Sequence, residues 1–336
     1  MAIKVAITGF GRIGRCVARI LSDRDDLELV AVNDTAQREM TKYLLQYDSV
    51  HGAFDKKVEI LEDDYMQIGD SKVKFLNDRD PNNLDFASYG AELLLECTGA
   101  FYTQEKSQAY LDKGIKKVLF SAPAKDKETA TFVMGVNEDS YNGEKIVSNA
   151  SCTTNCLAPV TKVLDDAFGI EKGLITTCHS YTNDQKILDI KHSKDPRRAR
   201  AAAVNMIPTS TGAAKAIALV MPHLKGKLNG QAIRVPTTDV SIVDLNVVVK
   251  KNTTVEEVNE AFNKAQNGSM AGLIEVDLDK RVSSDFVGSD KSAIVAADMT
   301  QVIDGNMIKV LAWYDNEWGY SNRLVDMAKH IMSEGK

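Results

Sequence analysis

Ile3-Lys4-Val5-Ala6-Ile7-Thr8-Gly9-Phe10-Gly11-Arg12-Ile13-Gly14 decides the fold of this chain. The apolar run Ile3 to Ile7 reads as a buried strand, Ile13 to Leu21 has helical spacing, and the glycines fall at the turn between them. Asp34 lies twenty residues beyond Gly14, at the end of the next apolar run, Leu27 to Val32. In that context each glycine has a distinct task. Gly9 permits the tight turn, Gly11 lets the backbone approach a pyrophosphate, and Gly14 allows close helix packing. The helix start offers unpaired N–H groups and a partial positive charge, and Asp34 is placed to accept ribose hydroxyls. A lone glycine pattern is only a tight turn. With strand, helix and acid at these distances it predicts a dinucleotide site, without naming the reaction.

Working outward, apolar runs and helical patterns alternate through Glu92 to Glu96, Ser107 to Lys113 and Lys117 to Ser121. Such alternation predicts crossover units and a largely parallel sheet. Shorter strands between Lys57 and Leu76, turning at Gly69-Asp70, predict an antiparallel insertion. After Ser148 the pattern changes to a helix from Cys152 to Phe168, a strand ending near His179, and strands at Ala232 to Val235 and Ser241 to Lys250. We therefore expect an α/β protein: a Rossmann-type dinucleotide-binding domain over 1–150 and an α+β catalytic domain with a mixed sheet over 151–317. The C-terminal segment 318–336 is expected to return as a helix to the first domain. Thr182 to Ala202 is polar, basic and aperiodic, which predicts a functional or interface loop.

The 336 residues suit two hydrophobic cores, with 44% hydrophobic and 26% charged residues, as in an ordinary globular protein. A net charge of -6 argues against nucleic acid as the main partner. No apolar run is long enough for a membrane span, and the start reads as mature and untargeted. Five cysteines, at 16, 97, 152, 156 and 178, form no disulfide framework or metal-binding spacing, so we expect a reducing, cytoplasmic setting and no metal.

Ser148-Asn149-Ala150-Ser151-Cys152-Thr153-Thr154-Asn155-Cys156 lies between a strand and a helical pattern. That puts Cys152 in the first helical turn, with Ser151 as a cap. There the helix dipole and free N–H groups are expected to lower the thiol pKa, and the same N–H groups suit an oxyanion. Among the five histidines, His179 is the candidate base because it ends an apolar strand. His51, His192, His223 and His330 lie in turns, the polar loop or a surface helix. The remaining cysteines read as small buried hydrophobes.

Taken with Thr209-Ser210-Thr211-Gly212-Ala213-Ala214-Lys215-Ala216 and Trp313-Tyr314-Asp315-Asn316-Glu317, these motifs are long, ordered and far apart. The chain resembles the phosphorylating glyceraldehyde-3-phosphate dehydrogenases of bacterial type from end to end. The resemblance implies NAD as cofactor, Cys152 as nucleophile, His179 as base, and inorganic phosphate as the group that cleaves a thioester. It implies that Arg12 and Ile13 hold the pyrophosphate and that Arg79, Thr98 and Ser121 line the crevice, with Asn316 and Tyr320 at the nicotinamide. Thr182, Arg197 and Arg234, with Ser151, Thr153, Thr211 and Gly212, would bind the phosphates of D-glyceraldehyde 3-phosphate and the attacking anion. A homotetramer is implied, with the 182–202 loop against a neighbour's cofactor.

Some positions depart from the family pattern. Thr8 replaces a usual asparagine and Trp318 a usual threonine; Trp318 also occurs in erythrose-4-phosphate dehydrogenases, the enzymatic alternative. Lys191 replaces a proline frequent in NAD-specific members, and Thr35 follows Asp34 as in forms that accept NADP, so some NADP use is expected beside NAD. A non-catalytic dinucleotide-binding, RNA-binding or surface-adhesion role is the alternative of another class.

Overall fold

The computed structural model describes residues 2–192 and 195–333. They divide into two compact units, 2–151 with 321–333, and Cys152–Tyr320.

In the first unit a nine-stranded sheet runs in the order Ala130–Thr131, Ile146–Ser148, Lys117–Phe120, Leu93–Glu96, Ile3–Thr8, Leu27–Asn33, Ser71–Leu76, Tyr65–Ile68, Val58–Ile60. Pairings are parallel as far as Ser71–Leu76 and antiparallel beyond it, so the insertion folds as its turn residues predict. The central strands are buried on both faces, with Val5, Ala6, Ile7, Leu93, Leu94 and Leu95 inaccessible. Continuous apolar runs, rather than alternating ones, follow from that two-sided burial. Ile3–Thr8 lies between Leu27–Asn33 and Leu93–Glu96, so the strand order reverses there and a crevice opens at the strands' C-terminal ends.

Helix Arg12–Leu21 follows the first strand, and helix Gln104–Asp112 starts three residues earlier than its apolar pattern. Thr103 explains the difference, because its side chain accepts from the Lys106 N–H and caps the helix. Helix Arg38–Gln46 and the hairpin of Tyr47–Asp48 with Gly52–Ala53 had no clear pattern in the sequence. Only Thr41 and Leu45 of that helix are buried, which leaves little periodicity to read. The C-terminal helix, Trp318–Ser333, buries Leu324, Val325, Met327, Ala328 and Ile331. Within the first unit it is tied by Arg24 to Asp326 at 3.3 Å, Lys329 to Asp26 at 2.8 Å, and His330 Nε2 to the Glu138 carbonyl at 3.0 Å.

The second unit is built on a mixed sheet in the order Ile207–Ser210, Leu228–Val235, Ile170–Ser180, Ser241–Val249, Met307–Tyr314, Ala293–Ala296, Ile274–Asp277. Ser241–Val249 alternates strictly between buried and half-buried residues, so one face meets the core and the other does not. Helix Cys152–Phe168 is buried along most of its length despite Pro159. Among its described residues, the 182–202 segment holds only short 3-10 turns and a single bridge, Lys186 with Ala201. Among the described residues, no helix is long and apolar enough to cross a membrane.

Candidate active site

In the first unit Gly9 adopts φ +85°, and a Cβ there would lie 2.5 Å from the Thr98 nitrogen. Gly14 is equally confined, since a Cβ would come 2.3 Å from the Gly9 carbonyl oxygen. At Gly11 nothing lies within 4 Å of that point, and its backbone borders a cleft of about 470 Å³. Thr8, Gly9, Asp34, Arg79 and Thr98 share that wall, at the C-terminal ends of the sheet's central strands. Open space where a side chain would block a pyrophosphate, beside an acid, fits a dinucleotide.

The Asp34 carboxylate accepts from the Phe10 and Ala36 N–H groups, each at 2.8 Å. Arg12, Ile13 and Ser121 are not among the residues of the cleft wall. The Arg12 guanidinium donates to both oxygens of Asp48, at 3.0 and 3.1 Å, which leaves the backbone at the helix start as the natural anion donor. Ser121 Oγ lies 3.1 Å from Tyr102 Oη.

Behind Thr98 lies Glu96, fully buried, which sequence reasoning passed over as the last residue of an apolar strand. It accepts from the Thr98 N–H at 2.7 Å, from the Thr98 hydroxyl and from Tyr110 Oη at 3.3 Å. Burial pushes its carboxyl up from 4.5 to about 7 despite those bonds. A folded value above the unfolded one means that the folded chain holds an extra proton within that window. The stability this confers is present at low pH and is lost as pH rises through the folded value. Glu96→Gln cannot ionise, so the stability advantage of wild type over the variant should shrink by up to about 3 kcal/mol between roughly pH 5 and 8. Melting curves across that range test it, and a pH-independent difference would refute it.

In the second unit the reactive groups converge. Ala150, just ahead of it in sequence, is held at φ +54°, a left-handed conformation costing a non-glycine residue about 1–3 kcal/mol, and the chain then enters the helix at Cys152. Cys152 Sγ is 3.5 Å from His179 Nε2, and His179 is the penultimate residue of strand Ile170–Ser180. The other imidazole nitrogen, Nδ1, lies 2.7 Å from the Ser180 carbonyl and 2.6 Å from Arg234 Nη1. Strand register explains the grouping, because His179 pairs directly with Arg234 on the neighbouring strand.

The expected lowering of the Cys152 pKa needs correction. Burial is the largest influence and raises it; the Arg234 charge and hydrogen bonds from the Thr153 side chain and the backbone act the other way. Burial, then Arg234, pushes the His179 imidazole down. Both effects favour a resting pair of thiol and neutral imidazole. The tautomer then matters. With its proton on Nδ1, donated to Ser180, the ring presents a lone pair to the thiol; with Nδ1 accepting from Arg234, it does not.

Two models of one family match the chain: "Glyceraldehyde 3-phosphate dehydrogenase, NAD binding domain" over residues 3–104 and "Glyceraldehyde 3-phosphate dehydrogenase, C-terminal domain" over 151–316. The glyceraldehyde-3-phosphate dehydrogenase of Geobacillus stearothermophilus is 51% identical over 337 residues, covering 100% of both chains. The chain belongs to the glyceraldehyde-3-phosphate dehydrogenase family. That of Priestia megaterium is 50% identical with the same coverage, and the chloroplastic form A of Chlamydomonas reinhardtii is 51% identical over 97% of this chain and 88% of its own. The first unit accordingly carries the family's NAD-binding domain.

Arg197, read from the sequence as a phosphate ligand, does not turn inward. Its side chain is exposed, and the guanidinium turned inward is Arg198, which donates to Thr209 Oγ1 at 2.9 Å, Asp184 at 2.7 Å and the Ser210 carbonyl at 3.3 Å. Nothing in the run Arg197-Arg198 told the two apart without the 3-10 turn that carries them. Thr211 and Gly212 follow directly, at the start of helix Ala213–Val220, where Thr211 accepts from the Ala213 N–H. Thr153 is buried with its hydroxyl 2.9 Å from Tyr314 Oη, while Ser151 and Thr182 are half-buried. The unusual Thr8 accepts from Asn33 Nδ2 at 3.0 Å, and Asn33 in turn braces Asp78. Asn316 is 6% exposed and Tyr320 5%. Lys191 is exposed.

Proposed function

We propose that the chain oxidises D-glyceraldehyde 3-phosphate with NAD and inorganic phosphate to 1,3-bisphosphoglycerate, through a thioester on Cys152. The observation that carries this reading is the 3.5 Å approach of the Cys152 thiol to His179, with Arg234 on the far side of the same ring. Cys152 Sγ attacks the aldehyde carbon as its proton passes to His179 Nε2, giving a hemithioacetal. N–H groups at the start of the Cys152 helix hold the oxygen that becomes negative. When bound, NAD would supply the hydride acceptor, and Gly9, Gly11, Asp34, Arg79, Thr98 and Asn316 are the residues that would hold it. His179 Nε2 returns the thiol's proton to the oxygen, which becomes the hemithioacetal hydroxyl, and takes it back as the carbon loses hydride to the acceptor and the thioester forms. A phosphate oxygen then attacks the thioester carbon, the C–S bond breaks, and Cys152 is restored.

Arg234 gives the substrate's own phosphate a role beyond binding. A guanidinium that turns from His179 to a phosphate dianion makes a stronger, charge-assisted contact. It also leaves Nδ1 to donate to Ser180, which is the tautomer that accepts a proton from the thiol. Thr182 joins Arg234 at this phosphate, while Ser151, Thr153, Arg198, Thr211 and Gly212 serve the attacking anion.

A homotetramer is the assembly we propose. Ile187, Leu188 and Ile190 in the loop are 86%, 75% and 55% exposed, and Leu174 on the open sheet face is 64% exposed, an apolar display that suits subunit contacts. The five free cysteines suit a reducing, cytoplasmic setting. The test of the reaction is phosphate dependence. Without phosphate or arsenate, NADH formation should stop near one equivalent per active site; sustained turnover indifferent to either anion rejects the phosphorylating reaction.

A further inference from the structure

Asn316 is held by an arrangement that fixes which end of its amide faces outward. Three adjacent strands of the second unit end together: Ile170–Ser180, Ser241–Val249 and Met307–Tyr314. At that edge the Ser180 hydroxyl donates to Asn316 Oδ1 at 2.8 Å, and the Ser241 hydroxyl donates to the same oxygen at 2.7 Å. Ser241 Oγ also accepts the Ser180 N–H at 3.1 Å. Ser180 and Ser241 are 0% and 1% exposed. The backbone is pinned as well, because the Asp315 carboxylate accepts from the N–H groups of Gly288, Glu317 and Trp318.

The direction of these bonds matters. Ser241 already receives a proton from the Ser180 backbone, so its own hydroxyl proton must go to another acceptor. Turning the amide over would aim its NH2 at two hydroxyls and strand two hydroxyl protons in the interior, an outcome that folded proteins avoid. With Oδ1 saturated by two donors, Nδ2 is the end left over. It has no acceptor among the described residues, although the side chain is more than nine-tenths buried.

We propose that Ser180 and Ser241 are positioning residues that lock the Asn316 amide with its NH2 outward, as a dedicated donor to the carbonyl oxygen of the nicotinamide carboxamide. This rests on the reading above that Asn316 meets the nicotinamide. Because a carboxamide offers both a carbonyl and an NH2, an amide free to turn over would accept the ring in either of two orientations. A locked one selects a single orientation and thereby a single face for hydride transfer.

Calorimetric titration of the full-length enzyme with NAD and with ADP-ribose, which lacks the nicotinamide, tests the lock. Ser180→Ala with Ser241→Ala should weaken NAD about tenfold, the worth of one well-placed hydrogen bond, and leave ADP-ribose within about twofold. Ser241→Thr, which keeps the hydroxyl, should restore most of the loss caused by Ser241→Ala. Parallel weakening of both ligands would mean a merely structural role and overturn the proposal, as would wild-type NAD affinity in the double variant. Asn316→Ala separates the layers. If it weakens NAD selectively while the serine variants do not, the lock alone fails; if it spares NAD, the nicotinamide assignment fails and the lock with it.

Discussion

Cys152→Ser is expected to lower kcat for aldehyde oxidation by about four orders of magnitude or more while NAD still binds. Serine keeps the shape and the hydrogen bonds but replaces a thiol with a hydroxyl far harder to ionise. Burial already pushes the Cys152 thiol above its ordinary value, so the site has no spare capacity to activate a weaker acid. The acceptor half of the chemistry should persist, because the 470 Å³ cleft and the glycines beside it belong to the other unit. Pre-steady-state measurement of NADH formation, alongside NAD titration, checks both halves. Oxidation within tenfold of wild type would remove Cys152 from the reaction.

His179→Asn should cost about a thousandfold in kcat, within the usual range for losing a general base, and should slow iodoacetamide alkylation of Cys152 at neutral pH. In the wild-type pair the thiol has a proton acceptor 3.5 Å away. Without it, ionisation must proceed into a buried setting that disfavours the thiolate, so the alkylation profile should move to higher pH in the variant. Arg234 alone cannot compensate, since its charge lowers the thiol pKa but cannot take the proton. An alkylation profile unchanged by the substitution would show that His179 plays no part in activating the thiol. The remaining histidines are engaged elsewhere: His192 contacts Asp184, His223 contacts Asp165, His330 meets the Glu138 carbonyl, and the His51 backbone N–H is bonded to Asp48.

The first replacement concerns a residue that the sequence exposed unusually well, and the reason is local. Cys152 and Gly9 sit where a strand hands over to a helix, and such junctions leave sharp marks: a glycine where only glycine fits, a polar run before an apolar helical face. Glu96 left no mark of this kind. Its strand reads as apolar, and only the surrounding burial, with Thr98 and Tyr110 as partners, gives the carboxyl its character. Arg198 could not be separated from Arg197 because the loop around them has no period, and which guanidinium turns inward depends on a 3-10 turn set by Asp195 and Pro196.

The thiol pKa was misjudged for a physical reason. A helix start favours an anion, but the depth at which the sulfur is buried is not legible in the sequence, and that burial outweighs both the hydrogen bonds at the helix start and the Arg234 charge, which lower the thiol pKa. The lock on Asn316 was equally out of reach of sequence reasoning. Ser180, Ser241 and Asn316 are far apart along the chain, and only the register of three antiparallel strand ends brings them together.

On the proposed route the substrate's carbon skeleton becomes covalently attached to one sulfur and leaves it only when phosphate arrives. Mixing enzyme, NAD and D-glyceraldehyde 3-phosphate without phosphate, quenching in acid and analysing the peptides by mass should reveal a phosphoglyceroyl adduct confined to Cys152. A pulse of phosphate before the quench should erase it. Full NADH formation with no adduct at Cys152, or an adduct that persists through the phosphate pulse, would rule that route out.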